Sequence, residues 1–232
     1  MKSFTFRAAW GLGLALFWSS PLTAADKQGD LMQLRVSVFN SASISPKAIE
    51  HAEGEASRIL EDAGVAVIWL NCPQDSQHEV SRGRCTEASF PLHLHLRIAR
   101  VSRGLKPSTV GISFSAEDGQ GCYVDLFYEP IRQLEEETHV ALRVILGHAM
   151  AHELGHLLLG TNSHSASGLM RAHWTREELT KAAKGNLGFS REQSLRIMYR
   201  LAQKTPRDPQ RMVSAPRTSN NEIGGDKSDL NE

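Results

Sequence analysis

Aromatic residues make up only 6% of this 232-residue chain, cysteines number three, and neither sign of charge is in excess, with 26 Lys and Arg against 26 Asp and Glu. A balanced chain without a basic stripe interleaved with aromatics offers little to a phosphate backbone, so nucleic acid is not an expected partner. Long apolar runs are missing too. The most apolar stretch, AAWGLGLALFW, is too short to span a bilayer comfortably. It follows Lys2 and Arg7, precedes Pro21, and leads to the small residues TAA ending at Ala25. This is the pattern of a secretory signal cleaved after Ala25, with a secreted or periplasmic destination. No Cys stands at the cleavage point, so no lipid or other membrane anchor is expected. Removing two cations leaves 24 against 26 acids, a net charge of about −2.

What remains has the composition of an ordinary globular protein, 41% apolar and 22% charged. We read residues 26–204 as one domain and 205–232, polar and poor in apolar residues, as a disordered tail. In an oxidising compartment Cys72 and Cys85 can close the polar loop PQDSQHEVSRGR as a disulfide. Cys122, beside Gly121 and Tyr123, reads as a small buried hydrophobe.

The alternation of LMQLRVSVF (31–39) predicts a strand with one buried face. SPKAIEHAEGEASRILEDAG predicts an amphipathic helix capped by Ser45, with Pro46 at its first position and Gly64 as its stop. The nearly continuous apolar run VAVIWLN (65–71) predicts a strand covered on both faces and paired in parallel with the first. PLHLHLRIA (91–99) alternates again. TVGISFS and CYVDLFYE read as two further strands joined by the turn-rich AEDGQG. The longest helical pattern runs from Thr138 to Leu159 and is apolar on nearly every side, so it is the expected buried central helix. TREELTKAAKG and SREQSLRIMYRLAQK each open with a hydroxyl cap and an acid or amide three residues on, and read as two shorter helices.

The central helix carries the chemistry. His152 and His156, four apart, present their imidazoles on one face and can share a cation. Glu153 is displaced by about 100° around the axis, near enough to reach a metal-bound water without being a ligand. Zinc suits this set, because two neutral imidazoles and one further ligand leave a position for a water acidified to about pKa 7. Glu153 is then the base that takes the water's proton. His148 extends the stripe, but residue 149 is Ala, so a metal between 148 and 152 has no base, and His148 reads as structural.

The run HELGHLLLGTNSHSASGLM resembles the metzincin clan of zinc peptidases, whose pattern is H-E-x-x-H-x-x-G-x-x-H followed by a methionine turn. His152, Glu153, His156, Gly160, His164 and Met170 match it in type and order, with one extra residue before Gly160 and another before His164. The resemblance implies an α+β, zincin-like fold: a mixed twisted sheet with an antiparallel edge strand, a central active-site helix and a small helical C-terminal subdomain. It also implies Zn2+ held by His152, His156 and His164, Glu153 as the catalytic residue, and Met170 as an apolar floor. The activity implied is that of a zinc metalloendopeptidase, with a peptide or protein substrate laid along an edge strand within Thr109–Ser115 or Cys122–Phe127.

One extra helical residue turns the exit by about 100°, and the four residues from Gly160 to His164 can span up to roughly 13 Å, so His164 can return to the metal. Rival third ligands are Glu177, Glu178 and His173. Thr175 with Glu178 forms a capping box, and Glu177 suits a first helical turn, so both acids have structural explanations. His93 and His95 share a strand face with Arg97, which reads as a polar, partly wet face. Two other functions are compatible with the residues: a non-catalytic metal-binding protein on the same scaffold, and a zinc hydrolase acting on a different bond.

Overall fold

The computed structural model describes residues 31–73, 85, 88–89, 91–117, 119–161 and 163–204. The expected signal (1–25), the tail (205–232) and most of the loop between Cys72 and Cys85 lie outside them. Within them are five strands and five helices: β1 (Met32–Asn40), α1 (Pro46–Asp62), β2 (Val65–Cys72), β3 (His93–Ala99), β4 (Gly111–Phe114), β5 (Tyr123–Phe127), α2 (Tyr128–Thr138), α3 (Leu142–Leu159), α4 (Arg176–Ala183) and α5 (Arg191–Lys204).

The sheet has the order β2-β1-β3-β5-β4. β1 pairs in parallel with β2 and β3, and β3 pairs in parallel with β5. β4 alone is antiparallel, against β5, and forms one edge. This is a mixed α/β fold with a mostly parallel sheet. Of the two candidate edge segments, 109–115 supplies the edge and 122–127 lies inside the sheet.

The alternation in β1 is realised as expected, with Leu34, Val36 and Val38 buried in the core. β2 differs from expectation. It is the opposite edge, Ile68 is 40% exposed, and Trp69 and Leu70 are half-buried. An apolar run specifies a strand but not its place in the sheet, and here α1 covers one face only. β3 buries Leu94, Leu96 and Ile98 completely, while Leu92 precedes the strand and is exposed. Its other face is not uniformly wet. His93 is buried with its Nε2 2.8 Å from Ser37 Oγ, and only the Arg97 end, paired with Asp125, opens to solvent.

α1 begins as its sequence prescribes, with Ser45 Oγ accepting from Ala48 N at 3.3 Å. The long C-terminal helical pattern is divided. α2 ends at Thr138, His139 takes a left-handed conformation with φ 58°, and α3 starts at Leu142 rather than Thr138. α2 was not predicted, because YEPIRQLEEET shows few apolar positions and only Pro130 and Ile131 are buried. It completes α3: no side chain at Ala141 caps α3, and Glu135 Oε1 accepts the Leu142 N–H at 2.9 Å instead.

Both later helices carry the expected capping boxes, Thr175 with Glu178 and Ser190 with Gln193. Cys72 and Cys85 are joined in a disulfide, and Cys122 is half-buried against the core. Among the described residues no helix is long and apolar enough to cross a membrane.

Candidate metal centre

α3 lies within the core, buried from Ile145 to Gly155 without interruption. Its residues are therefore apolar or small wherever they meet the packing, and the exceptions are His148, His152 and Glu153. A buried polar group needs a partner or a task. His148 has the first at one nitrogen, while its Nε2 is buried with no hydrogen bond among the described residues. Its Nδ1 donates to Val144 O at 2.8 Å, its ring meets Trp174 edge-on, and burial lowers its pKa. It stands apart from the cluster below, as a structural histidine does.

His152, His156 and His164 come together. One ring nitrogen from each lies within 4.8 Å of the others, the separation expected of donors around a single ion. The outer contacts set the tautomers. His152 Nδ1 lies 2.7 Å from Leu169 O, a carbonyl that can only accept, so Nδ1 carries the proton and Nε2 presents its lone pair inward. His156 Nδ1 lies 2.5 Å from the buried Ser163 Oγ. The hydroxyl can accept there, leaving His156 Nε2 to point a lone pair at the same place. The two Nε2 atoms are 3.0 Å apart, close to the roughly 3.3 Å spanned by two nitrogens on a tetrahedral zinc with bonds near 2.05 Å. The donor set therefore fits a zinc ion.

Burial lowers the pKa of His152 to about 4 and that of His156 to about 3, with the neighbouring histidines adding to the effect. Two of the donors thus stay neutral, as metal ligation requires, far below neutral pH.

The chain returns toward the histidines of α3 through Gly160. Its φ of 80° and ψ of −161° belong to a region open essentially to glycine alone, and they give the helix an extended exit. A side chain there would meet the Arg200 guanidinium, since a Cβ would lie 2.5 Å from Nη1. Arg200 Nη2 donates to Gly119 O at 2.9 Å and Arg196 Nη2 to Thr161 O at 3.1 Å, so α5 braces the loop that carries His164. This bracing comes from a helix distant along the chain. It was not legible beforehand, because two arginines on an amphipathic helix look like any solvated face.

Met170 is fully buried against α3, and Gly155 makes room for it: a Cβ there would be 2.8 Å from Met170 Sδ and 2.7 Å from Phe189 Cε1. Ser165 N donates to Met170 O at 2.9 Å and closes the turn. Trp174 Nε1 donates to Leu169 O at 2.9 Å, so one carbonyl orients both His152 and the indole. Neither Ser163 nor Trp174 was anticipated. Proximity of Ser163 to His164 was the only available signal.

Glu153 is 5% exposed, with Oε1 4.0 Å from His152 Nε2, and it makes no hydrogen bond among the described residues. Burial alone pushes its pKa up to about 8. β4 passes directly over it. A Cβ on Gly111 would fall 2.6 Å from Glu153 Cγ, so only glycine lets the edge strand lie this close. In front of Glu153 opens a cleft of about 510 Å³ bounded by the β4 edge, the three histidines, Leu134 and residues 171–174.

The rival ligands are engaged elsewhere. Glu177 is exposed and paired with Lys181 at 2.7 Å. Glu178 accepts from Thr175 N at 2.9 Å in its capping box. His173 lines the cleft but lies outside the histidine cluster. His95 packs with Phe39 and Tyr123, remote from α3 in the sheet.

No family model matches the chain, and no curated protein matches it. Among solved structures, a zinc-dependent peptidase from Methanocorpusculum labreanum (strain Z) is similar with a TM-score of 0.47 and 13% identity, over 70% of this chain and 99% of that one.

Proposed function

We propose that this chain is a secreted, metzincin-like zinc endopeptidase in which His152, His156 and His164 hold the ion and Glu153 is the general base. The observation that carries this reading is a buried carboxylate with no hydrogen bond among the described residues, one residue from His152 and three from His156, two imidazoles whose outer nitrogens are fixed so that both inner ones can face a cation. A metal held only for structure needs no such base. Zinc in this position supplies Lewis acidity to a peptide carbonyl and lowers the pKa of a water.

The rest is done by the chain. The open edge of β4 binds an extended peptide by strand addition, above Glu153. Glu153 removes a proton from the attacking water and delivers it to the departing amine. The apolar walls of the cleft limit water around the carboxylate and keep its proton affinity high. Ser163 and the Leu169 carbonyl hold the two helix imidazoles in orientation. The Cys72–Cys85 disulfide suits an oxidising compartment and so supports export.

Cleavage of casein and of a fluorogenic peptide library by wild type and Glu153→Gln, with zinc content measured in both, tests the reading. The expected result is zinc retained and proteolysis lost in the variant. Zinc binding by wild type without cleavage of any peptide would favour a metal-binding scaffold, and cleavage of acyl or other non-peptide substrates would move the chemistry to another bond. His164→Ala tests the third ligand, and unchanged zinc affinity would remove it.

A further inference from the structure

The cleft before Glu153 is walled mostly by apolar and neutral groups, and Arg171 is the one Lys or Arg that lines it. The residue directly follows Met170, and its backbone is pinned by Arg171 N donating to Gly168 O at 3.2 Å and by a bridge to Ser165. Its side chain meets Glu178 through one nitrogen only, Nη1, at 3.2 and 3.5 Å from the two carboxylate oxygens. Glu178 is buried and already accepts both the backbone N–H and the hydroxyl of Thr175. The capping box is thus the main occupant of the carboxylate, and Arg171 is its secondary partner. Its Nε and Nη2 make no hydrogen bond among the described residues, and the side chain is 36% exposed.

A guanidinium presents donors along two edges, and the Nε/Nη2 edge matches a carboxylate with two parallel hydrogen bonds. Glu178 fixes Nη1 and so leaves that edge oriented and unspent. An arginine needed only to tie the methionine turn to α4 could satisfy more of its donors on the protein. It would also have no reason to border a cleft.

We propose that Arg171 determines specificity by receiving a carboxylate of the bound peptide, supplied by an acidic side chain or by a free C-terminus. This rests on the peptidase reading. Arg171 shares its cleft with residues 108–113, the approach to β4 and its strand, whereas the hollow at the far end of β4 is lined by Ser115, Thr161 and Ser163. The carboxylate therefore sits in the cleft bordered by β4 and not in that hollow.

The test titrates fluorescent peptides into zinc-loaded Glu153→Gln protein and reads anisotropy. Pairs differ as Glu against Gln at each position, or as free acid against amide at the C-terminus, which separates the two sources. We expect one pair to bind about tenfold or more tightly in its acidic form, a preference that weakens with salt. It should vanish in Glu153→Gln/Arg171→Ala and persist only in part with Arg171→Lys, which keeps the charge but not the fork. Far-UV circular dichroism and zinc content establish that these variants are folded and loaded. If no acidic peptide outbinds its amide, or the preference survives Arg171→Ala, the proposal is overturned. Wild type that cleaves peptides without acidic preference sinks this inference alone. Wild type that binds acidic peptides selectively yet cleaves none sinks the peptidase reading and leaves the carboxylate site standing.

Discussion

α1 and α3 are nearly the same length, 17 and 18 residues, belong to one core, and touch so closely that a Cβ on Gly147 would lie 2.7 Å from Ala52 O. Each buries a glutamate. In α1 the burial is incidental to an ordinary amphipathic helix, and Glu53 Oε2 accepts from Asn71 Nδ2 at 3.3 Å while Oε1 is buried with no hydrogen bond among the described residues. In α3 the helix is buried nearly all round, yet Glu153 takes no hydrogen bond from the described residues and faces a cleft beside three histidines. Burial of a carboxylate is thus compatible with two outcomes. Glu53 keeps a donor beside one of its two oxygens, whereas Glu153 has none among the described residues and borders a cleft.

The sharpest way to break this comparison is at the metal. His152→Ala should weaken zinc binding by well over the roughly 100-fold expected from losing an outer partner, and Ser163→Ala should cost about 10- to 100-fold. Glu53→Gln, on the neighbouring helix, should leave zinc affinity unchanged. Competition against a chromogenic chelator measures all three. An effect of Glu53→Gln comparable with that of Ser163→Ala would erase the distinction between the helices.

Next in size is the cost of burying Glu153 without a donor. In the metal-free protein the folded pKa of Glu153, about 8, lies above its ordinary value of 4.5. The folded chain therefore binds a proton that the unfolded chain releases between these values, and stability is lost as pH rises through that window. Glu153→Gln removes the penalty. It should stabilise the chelator-treated protein by on the order of a few kcal/mol at pH 8 and by nothing near pH 4. Glu53→Gln should act in the same direction but less, because burial raises that pKa while Asn71 opposes the shift. Urea unfolding at the two pH values decides it, and equal gains at pH 4 and pH 8 would contradict the assignment. The histidines destabilise toward acid in both proteins, so they cancel in the difference.

Gly155→Ala comes third. The added methyl would fall 2.8 Å from Met170 Sδ and 2.7 Å from Phe189, both in packed surroundings, and should cost about 1–3 kcal/mol. A shift of the turn that carries Met170 should accompany it, read as weakened zinc binding, because the Leu169 carbonyl beside Met170 orients His152.

How much of this was legible in the sequence follows the same division. Local rules found α1, α4 and α5 and their caps, since capping boxes and helical periodicity act within a few residues. The pair His152 and His156 with Glu153 was legible for the same reason. What failed was non-local. β2 pairs with β1 alone and is covered by α1 on one face, and α2 joins the core mainly through Ile131 and through its cap on Leu142. The return of His164 depends on Arg196 and Arg200, some 35 and 40 residues on from Thr161 and Gly160, reaching back from α5. Arg171 next to Met170 gave no sign that it would border the cleft.

The smallest effect is the cleanest contrast between the two helices. Gly54 lies in the middle of α1 on its exposed face, and a Cβ there would meet nothing within 4 Å. Gly54→Ala should therefore stabilise the protein by about 0.5–1 kcal/mol, through lower entropy in the unfolded chain and better helix propensity. Gly147→Ala, on the facing helix, should do the reverse, because its methyl would strike the Ala52 carbonyl and the Glu55 side chain at 2.7 Å. The same substitution with opposite signs on two helices of one core, measured by thermal unfolding of the zinc-free protein, isolates backbone approach from composition. A stabilising Gly147→Ala would mean that α1 and α3 can separate at little cost, and the close packing that places His148 and His152 would then need another source.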